Sequence, residues 1–164
     1  MMQNFIKLKA SSIAPLASLD RIERFEDWYR IKLPDSYLKF LEYANCGIPD
    51  SVCSLIVGER ERVIERFLCI LDNPNSEPEK GGYDISVVIT QLEDRLTSDE
   101  NLVGMDIIPI AALFGGDFVC LDYRENKGDP KVVVWDHEQS DELSPVTELV
   151  ANSFDEFLEL LKRH

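Results

Sequence analysis

Histidine is scarce in this chain, which holds only His137 and His164, and its four cysteines (Cys46, Cys53, Cys69, Cys120) include no CxxC pair. A structural zinc site needs four nitrogen or sulfur ligands at short spacings, so neither a metal nor a metal-dependent chemistry is expected. Three of the cysteines lie in apolar runs such as Phe67-Leu68-Cys69-Ile70 and Phe118-Val119-Cys120-Leu121. They read as buried free thiols of a reducing compartment rather than as a disulfide framework. Long apolar runs are missing too. The longest, Ile107 to Phe114, is interrupted by Pro109 and falls far short of the roughly 20 residues of a membrane span. Met1 to Lys9 carries two lysines but no apolar stretch of signal-peptide length. No P-loop, HExxH or nucleophile-elbow pattern is present. These absences predict a soluble cytoplasmic protein without cofactor or metal, away from membranes.

What is present is acid. The net charge is −14 over 164 residues, and it is unevenly placed. Residues 1–71 hold ten Lys/Arg and ten Asp/Glu, whereas residues 72–164 hold 21 acids against seven bases. Such a field repels phosphate backbones, which argues against DNA or RNA as a partner. It attracts a basic protein and speeds its association, although an acidic surface also serves plain solubility. With 45% apolar and 29% charged residues, the chain has ordinary globular composition and the length of one domain, residues 1–164.

The hydrophobic pattern predicts helices, then strands, then more of both. Asp20 and Glu23 have capping-box spacing, and Leu19, Ile22, Phe25 and Tyr29 follow at helical intervals. Leu33-Pro34 ends that helix and starts another, with Tyr37, Phe40, Leu41 and Ala44 on one face and Gly47 beyond its end. Cys53–Val57 and residues 63–71 read as strands, residues 72–82 as a loop, and Ile85, Val88, Leu92 and Leu96 as a third helix. Phe118–Leu121 and Val132–Trp135 read as an antiparallel pair joined by the polar loop 123–131. Ser153 and Glu156 cap a last helix with Phe154, Phe157, Leu158 and Leu161 along one stripe. The order predicts an α+β fold, with helices packed against a mostly antiparallel sheet. Trp135 and Trp28 are both expected in or against the core.

Three segments resemble the SUKH superfamily, a group of bacterial immunity proteins that also includes a yeast cell-wall-synthesis regulator. Ile31-Lys32-Leu33-Pro34-Asp35-Ser36-Tyr37-Leu38-Lys39-Phe40-Leu41 is similar to its LP-x-x-Y-x-x-FL helix start. Ile108-Pro109-Ile110-Ala111 and Gly115-Gly116-Asp117-Phe118-Val119-Cys120-Leu121-Asp122 resemble its IPFA and GGD-x-x-x-LD elements. Val132-Val133-Val134-Trp135-Asp136-His137-Glu138, with Asn152-Ser153-Phe154-Asp155-Glu156-Phe157-Leu158, resembles its V-x-x-WDHE and SF-x-E-F-L ending. The segments keep the family order from about residue 20 onward, and Ala112-Leu113-Phe114 is more apolar than the usual polar turn. The resemblance implies a cytoplasmic immunity protein that binds and neutralises a polymorphic or contact-dependent toxin domain, often a nuclease. The same fold also implies an alternative, a non-catalytic scaffold or regulatory protein-binding domain. Self-association is left open.

Asp136-His137-Glu138 is where a histidine meets carboxylates. Strand alternation would send His137 to one face and its two neighbours to the other, which speaks against a hydrolytic or ligand-binding centre. Gly115-Gly116 precedes a strand rather than a helix, so it reads as a turn with positive φ and not as a phosphate cradle. No Lys or Arg occurs across 136–148. Asp136, Glu138, Asp141 and Glu142 in that stretch, with the strand-end acids Asp117 and Asp122, are the expected contacts to a basic partner, and the unmatched loops 72–84 and 123–131 are the other expected place for contacts.

Overall fold

The computed structural model describes residues 6–163. Within them lie four α-helices and a seven-stranded sheet. The helices are α1 (Leu19–Tyr29), α2 (Asp35–Ala44), α3 (Ile85–Leu92) and α4 (Phe154–Leu160). The strands are β1 (Cys53–Val57), β2 (Arg60–Phe67), β3 (Ile107–Leu113), β4 (Phe118–Asp122), β5 (Lys131–Trp135), β6 (Thr147–Ala151) and β7 (Lys162–Arg163). Their order is β6-β5-β4-β3-β2-β1-β7, and all neighbours are antiparallel. The α+β expectation holds. β1 to β6 lie side by side in chain order as a meander, with α3 inserted between β2 and β3, and short β7 is added beside β1.

Local chemistry explains most element ends, with one correction at α1. Its N-cap is Ser18, whose hydroxyl accepts from the Arg21 N–H, not Asp20. Asp20 lies inside the first turn, where a carboxylate faces the helix's positive end, and it pairs with Arg24 at 2.9 Å. α1 ends at Arg30, whose φ of 60° is left-handed. Ile22, Phe25 and Tyr29 are buried, but Trp28 is 74% exposed. At about 100° per residue Trp28 falls roughly 60° outside the buried arc, so core placement was wrong for this tryptophan. At α4, Ser153 accepts from the Glu156 N–H while Glu156 accepts from the Asn152 N–H, close to the expected capping box.

Strand β3 runs through the middle of the sheet although it contains Pro109, which has no N–H to donate. The register of β3 against β4 shifts between Pro109 and Ala111, as the confinement of strand prolines to bulges requires. Further shifts occur in β2–β3 and β5–β6. Bulges bend and twist strands, and here the sheet curls until β6 touches β1 from the far side. At the β1–β2 turn Gly58 has φ +63°, and a Cβ there would meet the Glu148 carboxylate of β6 at 2.7 Å.

The core lies between the concave sheet and the helices. Phe40 packs edge-on to Phe67 and Phe154 with centroids 4.9 and 5.4 Å apart, and Tyr37 meets Phe154 at 5.1 Å. Trp135 is fully buried, as expected, and its indole N–H donates to the Arg95 carbonyl at 2.9 Å. Two polar residues organise the buried backbone. The Asn45 side chain exchanges two hydrogen bonds with the backbone of Ile70. The Asp84 carboxylate caps α3 through Ser86 and Val87 and also accepts from Leu71.

The cysteines need a second correction. Cys53 and Cys120 are buried and free, but Cys46 and Cys69 form a disulfide. The Asn45–Ile70 pairing sets residue 46 against residue 69, with Cα atoms 4.6 Å apart. Twenty-three residues of sequence separate the two, so no short motif announces the bridge.

Candidate functional site

In a meander, alternate connections fall at the same end of the sheet. The β1–β2 turn, the β3–β4 turn (residues 114–117) and the β5–β6 loop (residues 136–146) therefore share one end. Asp117, Asp136, Glu138, Asp141 and Glu142 all lie there. Asp122, at the far end of β4, does not. It is half-buried and held by Arg124, whose Nε and Nη2 donate to its two oxygens at 2.9 and 2.8 Å.

Asp117 is the anchor of this end. It is 7% exposed, so the expectation of a partner-facing acid does not fit its position. Its Oδ1 accepts from the His137 backbone N–H at 2.8 Å and lies 2.5 Å from His137 Nδ1. Its Oδ2 accepts from Arg62 Nη2 at 2.8 Å, an ion pair with both side chains 9% exposed. Burial pushes the carboxyl upward, but the His137 and Arg62 donors outweigh it and hold Asp117 below the usual carboxylate range. The group is an anion because its cationic and N–H partners are built around it.

The expected divergence of His137 from the neighbouring acids is also corrected. The strand ends at Trp135, and the chain turns at once because Asp136 Oδ1 accepts from the N–H groups of Glu138 and Gln139. That turn folds His137 back over the β3–β4 hairpin. Its ring lies where a Cβ on Gly116 would be, 3.0 to 3.1 Å away, and Gly116 has φ +104°. Glycine is thus required twice there, by backbone conformation and by the ring above it.

Arg95 completes the support. Its guanidinium stands 5.0 Å from the Trp135 ring centroid and donates to the carbonyls of His137 and Ser140. Farther along, the Leu143 N–H donates to the Asp94 carbonyl at 2.7 Å. The loop is therefore pinned at 137, 140 and 143, while Glu138, Asp141 and Glu142 point charge into solvent from a fixed backbone. Phe114, 60% exposed at the neighbouring hairpin tip, adds an apolar ring to this end. The apolar Ala112-Leu113-Phe114 turn was its sequence signal. Arg62 and Arg95 gave no comparable signal, because their partners are 55 and about 40 residues away.

Asp117, Asp136 and His137 each bring one candidate ligand atom within 4.8 Å of the others. Both Asp117 oxygens are already engaged, one of them by a buried guanidinium that would repel a cation. The donor set fits an internal lock better than a metal centre.

The fold and this end together define an α+β protein that offers a braced acidic surface beside an exposed aromatic ring. The family model described as SMI1-KNR4 cell-wall (SUKH_6) matches residues 19–158, from the start of α1 into α4. The chain belongs to this family, and through it to the SUKH superfamily. Among curated proteins none matches the chain. Among the described residues no helix is long and apolar enough to cross a membrane.

Proposed function

We propose that this chain is an immunity protein that acts by binding, not catalysis, and neutralises a cognate basic toxin domain of the nuclease type. The observation that carries the reading is the pinned turn end: Glu138, Asp141 and Glu142 are held out on a braced loop beside exposed Phe114. A nuclease surface is basic where it holds phosphate, and fixed carboxylates complement it without an ordering cost at the moment of binding. An exposed aromatic ring amid charges is the composition of an interface anchor with its polar rim. His137 is engaged through Nδ1 by a buried aspartate and serves as the loop's clamp.

The test is co-expression with a basic nuclease toxin domain as the candidate partner. Growth restored by the wild-type chain and lost with Glu138→Gln/Asp141→Asn/Glu142→Gln supports the reading. Toxicity unaffected by the wild-type chain rejects it for that pair. The cell-wall description of the family favours a second reading, a regulatory binding domain. A stable non-toxic partner whose loss alters the cell wall would mark it.

A further inference from the structure

A second surface is built from other residues. Trp28, on the flank of α1, rises between two hollows of about 490 and 560 Å³. The first lies between the end of α1 and the segment 97–105, and the two largest exposed apolar side chains on it are Trp28 and Val103, 74% and 66% exposed. Its wall is preformed. The Met105 N–H donates to the Tyr29 carbonyl at 3.0 Å, and Gly104, at φ +92°, presses so close that a Cβ would lie 2.3 Å from that oxygen. A tryptophan kept in water contributes nothing to the core, so its place on a rigid groove needs another reason.

The charge around the groove says what would fill it. Asp27, Glu93, Asp94, Asp99 and Glu100 line it against Arg30 alone, and among the described residues no ion pair engages any of the five acids. In the hollow on the other side of Trp28 the arginines are already committed, Arg21 to Asp84 and Arg24 to Asp20. The unbalanced field is therefore negative and lies on the groove side of the indole. Guanidinium matches both halves of this surface. It stacks on an aromatic face and is weakly hydrated, and its planar fork pairs with carboxylates.

We infer that the Trp28 groove docks an extended, arginine-bearing segment of a partner protein. The inference does not depend on the toxin reading, since it uses none of the turn-end acids. The probe is a capped peptide alternating glycine and arginine, with lysine and glutamate counterparts, titrated into the full chain and followed by amide and indole resonances. Trp135 is buried, so its indole serves as an internal control. The arginine peptide is expected to move the Trp28 indole and the 97–105 amides saturably, the lysine peptide less tightly, and the glutamate peptide not at all. Trp28→Ala should weaken binding about two- to fivefold from lost stacking alone, and Glu93→Gln/Asp99→Asn should weaken it without touching the ring. Trp28, Glu93 and Asp99 are all exposed, so these variants fold as the parent does. A Trp28 indole that does not move, shifts centred on residues 136–148, or unchanged binding in Trp28→Ala would each overturn the groove, while toxin protection by the turn end would stand untouched.

Discussion

Asp117→Ala tests the central mechanical statement about the turn end, that a buried carboxylate clamps the β5–β6 loop. The side chain accepts from three donors: Arg62 Nη2, the His137 N–H and His137 Nδ1. Its removal leaves the Arg62 guanidinium, 9% exposed, without its counter-ion and the His137 N–H without an acceptor. Removing one member of a buried pair costs about 3–5 kcal/mol. A domain of this size carries a total of about 5–15 kcal/mol, and its midpoint moves by about 2–4 °C per kcal/mol. The expected fall in Tm is therefore about 6–20 °C. Asp117→Asn keeps one acceptor for the His137 N–H but turns an amide N–H₂ toward Arg62, so it should recover only part. Arg62→Met combined with Asp117→Ala should be less destabilised than the two single changes added together, because neither partner is then left charged and alone. Urea unfolding at pH 7 reads all four proteins, and hydrogen exchange at His137 and Ser140 reports the loop itself. A loss below about 1 kcal/mol for Asp117→Ala, or strict additivity in the double variant, would refute the clamp.

Three further outcomes are expected. The native pKa of Asp117 is depressed, so the unfolded chain binds more protons between that value and the ordinary one near 3.9; stability from this group is complete above that range and is lost as pH falls through the native pKa. Asp84 is raised by burial despite its backbone donors and Arg21, so it acts in the opposite sense, and Asp117→Asn should flatten the acid limb of a stability–pH curve measured from pH 3 to 7. Thiol labelling of the denatured, unreduced protein should find two reactive cysteines, Cys53 and Cys120, rising to four on reduction, and closing a loop of this length implies a stability loss of about 2–4 kcal/mol with reductant. Neutralising Glu138, Asp141 and Glu142 together should slow association with a basic toxin domain about tenfold at low salt, with little change at high salt, as stopped-flow mixing would show.

The parts of the fold that sequence foretold are those where pattern and cap agree. α2 and α4 carry unbroken apolar stripes, and Ser153 with Glu156 marks the start of α4. β4 and β5 are β-branched or apolar from Phe118 to Leu121 and from Val132 to Trp135, and pair as expected. β6 was missed because Thr147-Glu148-Leu149-Val150-Ala151 has an exposed face on an edge strand, with Leu149 56% exposed, and its surroundings read as one acidic loop. Ser18 was overlooked as a cap because Asp20, two residues on, has a better-known spacing. The site was half legible. Its exposed acids stand out in an interval without lysine or arginine, but the clamp depends on a turn after Trp135, and strand alternation extended past that residue gave His137 the wrong direction.

The clamp also explains why family motifs and contact residues need not coincide. In the Gly115-Gly116-Asp117 segment, Gly116 makes room for the His137 ring and Asp117 holds its Nδ1 and backbone N–H. In the Trp135-Asp136-His137-Glu138 segment, Trp135 fastens the strand end to Arg95, Asp136 makes the turn, and His137 closes onto Asp117. Each of these residues answers to another inside the chain, so changing one disturbs the loop whatever the partner. Asp141, Glu142 and Phe114 lie outside these motif segments on the outer side of the same device, exposed, and Glu138 is the one motif residue that joins them there. On the proposed function, a scaffold arranged this way can keep its clamp while its partner changes, because the acids proposed to meet the partner are held in place by the clamp and form no part of it.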